Sequence, residues 1–213
     1  MARETEVKLK IVDLAAFHAT LKRIGAEDVG LGRVFEENVI FDAADQSLAK
    51  KGQLLRIRTE TRKLKDNGVG PQQRFVLTFK RPAMQQEDGN ETGYKVREEI
   101  EVEMLEGEVL SKIFEGLGMR GWFRYEKYRT TYKLGASVAW GAGLLIEVDE
   151  TPIGVFAELE GPPEAIDRAA EELGYSKKDY LLRNYLTLYE EDCRSKGVAR
   201  GDMVFQTRKD FGK

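Results

Sequence analysis

The chain opens Met-Ala-Arg-Glu-Thr-Glu-Val-Lys-Leu-Lys-Ile, and its chemistry-bearing residues alternate from the start. Read as a strand, the segment puts Glu4, Glu6, Lys8 and Lys10 on one face and Thr5, Val7, Leu9 and Ile11 on the other. The pattern recurs along the chain. Arg56 and Arg58 alternate with Leu55 and Ile57, and Lys80 and Thr78 with Phe79 and Leu77. Lys95, Arg97, Glu99, Glu101 and Glu103 oppose Val96, Ile100 and Val102, and Lys127 and Arg129 share a face. Glu147 and Asp149 oppose Ile146 and Val148, and Glu158 and Glu160 oppose Ala157 and Leu159. Clustered carboxylates suit a hard divalent cation such as Mg²⁺ or Mn²⁺, and arginine and lysine suit phosphate oxygens.

The elements that carry these faces are short and regular. Strands are expected at Val34 to Asp42, Leu54 to Thr59, Arg74 to Lys80, Glu98 to Met104, Tyr125 to Tyr132, Leu144 to Asp149 and Phe156 to Gly161, besides the first. Asp13 can cap a helix over Leu14 to Ile24, with Gly25 at its end. The same order, an acidic strand and then a helix of about three turns closed by glycine, returns after Glu98 and after Phe156. Ser176 and Asp179 have the spacing of a capping box that opens a last helix through Tyr180, Leu181, Tyr185 and Leu188. Polar, glycine-containing loops are expected at Thr61 to Gln73 and Pro82 to Gly93. Residues 1–190 read as one domain, and the charged, aperiodic residues 191–213 as a loosely ordered tail.

Two architectures accommodate such strands. One is an open antiparallel sheet with a solvated face. The other is a sheet curled into a tunnel, charged faces inward and apolar faces under helices, which needs a highly charged ligand to complete its pairing. A polar face made almost wholly of Glu, Asp, Lys and Arg favours the tunnel.

Composition narrows the function further. The 213 residues carry 34 Lys and Arg against 37 Asp and Glu, a net charge of −3, which gives no general attraction to nucleic acid or membrane. One cysteine, Cys193, excludes an intrachain disulfide and a cysteine zinc site and suits the cytoplasm. A single histidine, His18, inside the first helix disfavours triads and metal centres built on histidine. No segment approaches the roughly 20 apolar residues of a membrane span.

Taken together, Glu4-Thr5-Glu6-Val7-Lys8, LRIR with Arg56 and Arg58, LTFKRP with Lys80, VREEIEVE with Arg97, YEKYRTTY with Lys127 and Arg129, and VDETPIGVFAELEG with Asp149, Glu158 and Glu160 resemble the CYTH family. These are the triphosphate tunnel metalloenzymes, among them class IV adenylyl cyclases, thiamine triphosphatases and inorganic triphosphatases. The resemblance runs from Glu4 to about Tyr189. It implies an α+β fold, an eight-stranded antiparallel β-barrel with a charged interior and helices outside. It further implies that Lys8, Arg56, Arg58, Lys80, Arg97, Lys127 and Arg129 bind a triphosphate-containing small molecule. Glu4, Glu6, Asp149, Glu158 and Glu160 would hold Mg²⁺ or Mn²⁺, with Glu99 and Glu101 completing a second metal site or orienting arginines. Glu4, Glu6, Lys8 and Arg129 would be catalytic. Lys10, Arg74, Lys95, Glu103 and Glu147 are read as structural or rim residues, and a homodimer is implied. Pro152-Ile153-Gly154 stands where cyclase-like members carry Gly-Leu-Gly. The expected activity is therefore metal-dependent triphosphate hydrolysis, with adenylyl cyclase as the alternative and a non-catalytic polyphosphate- or nucleotide-binding module third.

Overall fold

The computed structural model describes residues 2–30, 32–62, 72–83 and 93–207. Among these residues nine strands form one antiparallel sheet in the order β2-β7-β3-β4-β5-β6-β1-β9-β8, and β8 pairs back onto β7. The elements are β1 (Ala2–Ile11), α1 (Leu14–Arg23), β2 (Ala26–Asp28), β3 (Val34–Ala43), α2 (Ser47–Lys50), β4 (Leu54–Arg62), β5 (Gln72–Pro82), β6 (Lys95–Met104), α3 (Gly107–Gly116), β7 (Met119–Leu134), β8 (Leu145–Thr151), β9 (Gly154–Glu160), α4 (Pro163–Glu172) and α5 (Tyr185–Lys196). The return of β8 to β7 closes eight strands into a barrel, with β2 a short addition on the end of β7. Closure removes the sheet edges and gives the charged faces an inside.

Register keeps like faces together across the wall. Glu6 lies opposite Glu160, Lys8 opposite Glu158, Glu147 opposite Glu158, Arg129 opposite Asp149 and Lys80 opposite Glu99. Outside, Val7, Leu9, Ile146, Val148, Ala157 and Leu159 bury themselves against Phe17 and Leu21 of α1 and Ile166, Ala169 and Ala170 of α4. A smaller cluster sets Phe114 of α3 on Phe41 and Ile57.

The recurring strand-then-helix unit is real: β1–α1, β6–α3 and β9–α4 each place a ten-residue helix two residues after the strand. Asp13 caps α1 by accepting from the Ala16 N–H at 2.9 Å, and Pro162 and Pro163 open α4. At Gly161, between β9 and α4, φ is +152° and an added Cβ would lie 2.7 Å from the Gly143 carbonyl oxygen, so glycine alone allows the turn.

Three expectations are corrected. Strand β7 begins at Met119 and not Tyr125, because its first half pairs with β3 through Met119–Arg129. The Ser176–Asp179 capping box is present but opens only a 3₁₀ turn, residues 177–179. Helix cannot continue there because Leu181 exchanges two strand-like hydrogen bonds with Lys8, N to O at 3.2 and 2.8 Å; α5 starts anew, capped by Asn184. Finally, the described part of the tail is docked. Helix α5 runs to Lys196, Met203 is fully buried, and its N–H and C=O bond Arg124 and Glu126 on the half of β7 that β8 leaves unpaired. The two expected loops fall mostly on residues 63–71 and 84–92, outside the described residues.

Candidate active site

A cavity of about 400 Å³ occupies the barrel interior. Its wall includes Glu4, Glu6, Lys8, Arg56, Arg58, Lys80, Arg97, Lys127, Arg129, Glu158 and Glu160. Every residue that the resemblance assigned to triphosphate or metal is therefore on one cavity except Asp149, which is fully buried. Lys95, Glu99, Glu101 and Glu147 line the same space.

The interior is a connected ionic network. Lys8 Nζ meets Glu158 Oε1 at 2.5 Å, and Lys80 Nζ meets both Glu4 oxygens at 2.7 Å and Glu99 at 3.0 Å. Lys95 holds Glu6, with Arg97 3.9 Å away. Arg129 reaches Glu158 at 2.5 Å and Glu147, and forks Asp149 at 2.6 and 2.7 Å. Asp149 also accepts from Lys127 at 2.9 Å and the Tyr185 hydroxyl at 2.7 Å, so both its oxygens are engaged. Arg56 donates to Tyr125 and Thr78 at 3.1 Å each, and Arg58 lies 3.2 Å from Glu60 and 3.4 Å from Glu101.

The electrostatics follow from the neighbours. Burial and Glu158 push the Glu6 carboxyl upward, but Lys95, Lys8 and Lys80 outweigh them and hold its pKa at about 2. Glu158 is likewise driven well down despite burial, by Lys8, Arg129 and Lys127. Glu160 goes the other way. Burial, with Glu4 and Glu147 close by, raises it to about 8, and among the described residues it forms no ion pair. Burial, Glu158 and Asp149 raise Glu147 to about 7 in spite of Arg129. Glu160 is thus a surplus acid, with no cation of its own among the described residues.

That surplus is the chemistry a hard cation would satisfy. Among the described residues no three carboxylates form a ready-made cage. Glu4, Glu6 and Glu158 are occupied by lysine or arginine, and Glu160 is not. Glu4, Glu6, Glu158 and Glu160 form an oxygen-only donor set of the kind that a hard divalent cation takes.

Sequence reasoning missed several contributors. Glu36 on β3 is buried beside Lys127 at 3.4 Å, and Lys127, Arg129, Arg58 and Arg56 together hold it far below the usual carboxylate range against burial. Alternation along Val34–Asp42 would have found it. Lys95 and Glu147, read as structural or rim positions, are on the cavity wall. Tyr185, whose ring lies 4.6 Å from Lys8 Nζ and 5.4 Å from Lys127 Nζ, comes from a helix remote in sequence and left no signal. His18 is exposed on α1, near Tyr132.

A closed eight-stranded barrel with an ionic interior defines a triphosphate tunnel fold. The CYTH domain model matches residues 2–185, and the chain belongs to the CYTH family. A Methanocaldococcus jannaschii protein provisionally named adenylate cyclase is 28% identical over 190 residues, 87% of this chain and 97% of its own. Among solved structures, a provisional adenylate cyclase from Vibrio parahaemolyticus superposes with a TM-score of 0.68 at 17% identity, over 88% of this chain and 97% of that one. A Hippeastrum protein, described as a provisional adenylyl cyclase with a dominant triphosphatase activity, gives a TM-score of 0.55 at 18% identity, over 89% and 96%. Among the described residues no helix is long and apolar enough to cross a membrane.

Proposed function

We propose that this protein is a divalent-metal-dependent triphosphatase that hydrolyses inorganic triphosphate or an organic or nucleoside triphosphate inside the barrel. One observation carries the reading: Lys8, Arg56, Arg58, Lys80, Arg97, Lys127 and Arg129 line a single cavity, and those cations are held in place by carboxylates or polar groups that a phosphate chain can replace. A triphosphate is a small anion whose charge suits such a set of cations, and phosphoryl transfer is catalysed mainly by positioning and charge stabilisation. Arg56, Arg58 and Arg129 would grip oxygens in pairs and the lysines would act as point charges. Glu6, Glu158 and Glu160, with Glu4, would hold the cation, which neutralises charge along the phosphate chain when bound. The Hippeastrum protein's reported triphosphatase activity supports hydrolysis in this fold.

The relative named adenylate cyclase supports the alternative, attack by a ribose hydroxyl on the α-phosphorus. Ile40, Trp122 and Leu186 give the same cavity an apolar side that could take a base. Product analysis by ³¹P NMR separates the readings. With ATP or inorganic triphosphate and Mg²⁺ or Mn²⁺, orthophosphate is expected; pyrophosphate with a cyclic nucleotide would establish cyclisation, and no turnover of either would leave a non-catalytic binding module or another organic triphosphate as substrate.

A further inference from the structure

One side of the cavity is apolar where the rest is ionic, and Ile40, Leu54, Trp122 and Leu186 line it. Trp122 reaches that side through an irregularity in β7. Alternation back from Arg129, Lys127 and Tyr125, all on the cavity, would turn Trp122 to the outer face of the strand. The register slips at this point: Ile40 pairs with Phe123 and Phe41 with Gly121, which leaves Trp122 as the extra residue of a bulge. A bulge re-aims a side chain, and this one brings the half-buried indole onto the cavity wall.

Register also sets how far the indole stands from the nearest arginine of the cavity. Arg56 of β4 lies opposite Ile40 of β3, and Ile40 opposite Phe123 of β7, the neighbour of Trp122. Neighbouring strands run about 4.8 Å apart, so two spacings put the backbone of Trp122 roughly 10 Å from that of Arg56. A sugar spans such a gap between a phosphate and a ring. The indole is braced as well. The Arg200 guanidinium, from the segment after α5, lies 4.5 Å from the centre of the Trp122 ring and 5.5 Å from that of Phe123, and it donates to Glu190 at 3.0 Å. Arg200 is not on the cavity wall, so it steadies the ring without touching what the cavity holds. Inorganic triphosphate, anionic along its whole length, gains nothing from an immobilised indole; a flat aromatic ring gains by stacking on it.

We propose that the substrate is a triphosphate ester that carries a flat aromatic ring, as a nucleoside triphosphate does, with the ring stacked on Trp122 and Arg200 acting as the positioning residue of the indole. The inference rests on the triphosphate reading above and chooses among the substrates that reading admits. It holds whether water or a hydroxyl of the substrate attacks, because the ring is bound in either case.

The test is calorimetric titration of the full-length protein in EDTA with ATP and, separately, with inorganic tripolyphosphate, and KM for each in Mg²⁺ is a second readout. Trp122→Ala should weaken ATP binding about tenfold and tripolyphosphate binding less than about twofold. Trp122→Phe keeps a ring, covers an alanine form that does not fold, and should lose less for ATP. Arg200→Ala should weaken ATP about threefold, again sparing tripolyphosphate, and Arg200→Lys should restore most of that loss. In Trp140→Phe, where Trp122 is the single tryptophan left, ATP should quench the fluorescence and tripolyphosphate should not. Unchanged ATP affinity in the Trp122 variants, an equal loss for both ligands, or tripolyphosphate binding without ATP binding would overturn the inference and leave the triphosphate reading standing. Failure of the unaltered protein to bind either ligand in either medium would sink that reading, and this inference with it.

Discussion

Two walls of the barrel solve the same problem differently. The wall of β1, β8 and β9 is ionic inside and sealed outside: Leu9, Ile146, Ala157 and Leu159 are fully buried under α1 and α4. The wall of β5 and β6 is ionic inside as well, yet Ile100 and Val102 on its outer face stay 47% and 50% exposed. Helical cover is therefore not what turns the charged faces inward. Barrel closure and cross-strand ion pairing do that on both walls, and the helices bury one outer face far more completely than the other.

The largest expected effect tests the sealed wall from inside. Arg129→Ala strands Glu147, Asp149 and Glu158 together, and removing one partner of a buried pair costs about 3–5 kcal/mol. Urea unfolding should show that loss, and turnover should fall at least about 100-fold. Arg74→Ala on β5, half open to solvent and paired with Glu103 and Glu60, should cost under about 1 kcal/mol. Equal losses would end the distinction between the walls.

From outside, Leu159→Ala should cost about 2–5 kcal/mol by opening a cavity under α4. Val102→Ala should fall within about 1 kcal/mol by the same assay, since half its surface already meets water. A large loss at Val102 would mean that something covers that face in solution.

The pH dependence sharpens the electrostatic side of the contrast. Glu160 and Glu147 keep their protons in the folded protein up to about 8 and about 7, whereas unfolded glutamates release theirs near 4.5. Across that interval the folded state binds more protons, so stability falls as pH rises. Without metal, the melting temperature should decline by a few degrees from pH 5.5 to 8.5, and Glu160→Gln should flatten the decline; a rise over that range would contradict the assignment. Smallest of all, Asp13→Ala should cost about 1 kcal/mol through the cap of α1, whereas Glu106→Ala before α3, which makes no side-chain cap bond, should be silent in thermal melts.

The period-two charge pattern exposed the barrel because an inward charged face repeats wherever a strand does. It located β1, β4, β5, β6, β8, β9 and the second half of β7, and the resemblance to the CYTH family then picked eleven residues of the cavity wall from those faces. What it could not show was depth: Asp149 and Glu147 lie on one face of one strand, yet the first is enclosed by Lys127, Arg129 and Tyr185 while the second reaches the cavity. Nor could periodicity find Leu181 and Met203, single residues that bond to a strand without belonging to one.

Those two contacts bear on how the chain is made. β1 pairs with β6 only through Ala2–Glu6, and Leu181 takes up the bonding at Lys8 beyond that point, as Met203 does along β7. Because the chain is made in order, β1 thus waits for β9 and for residue 181 before its backbone is complete. The wall of β7 waits for residue 203. Until then a strand bearing Glu4, Glu6 and Lys8 has no interior to face, and the segment from Leu181 to Met203 acts as a clasp that fastens a tunnel whose strands all precede it in the chain.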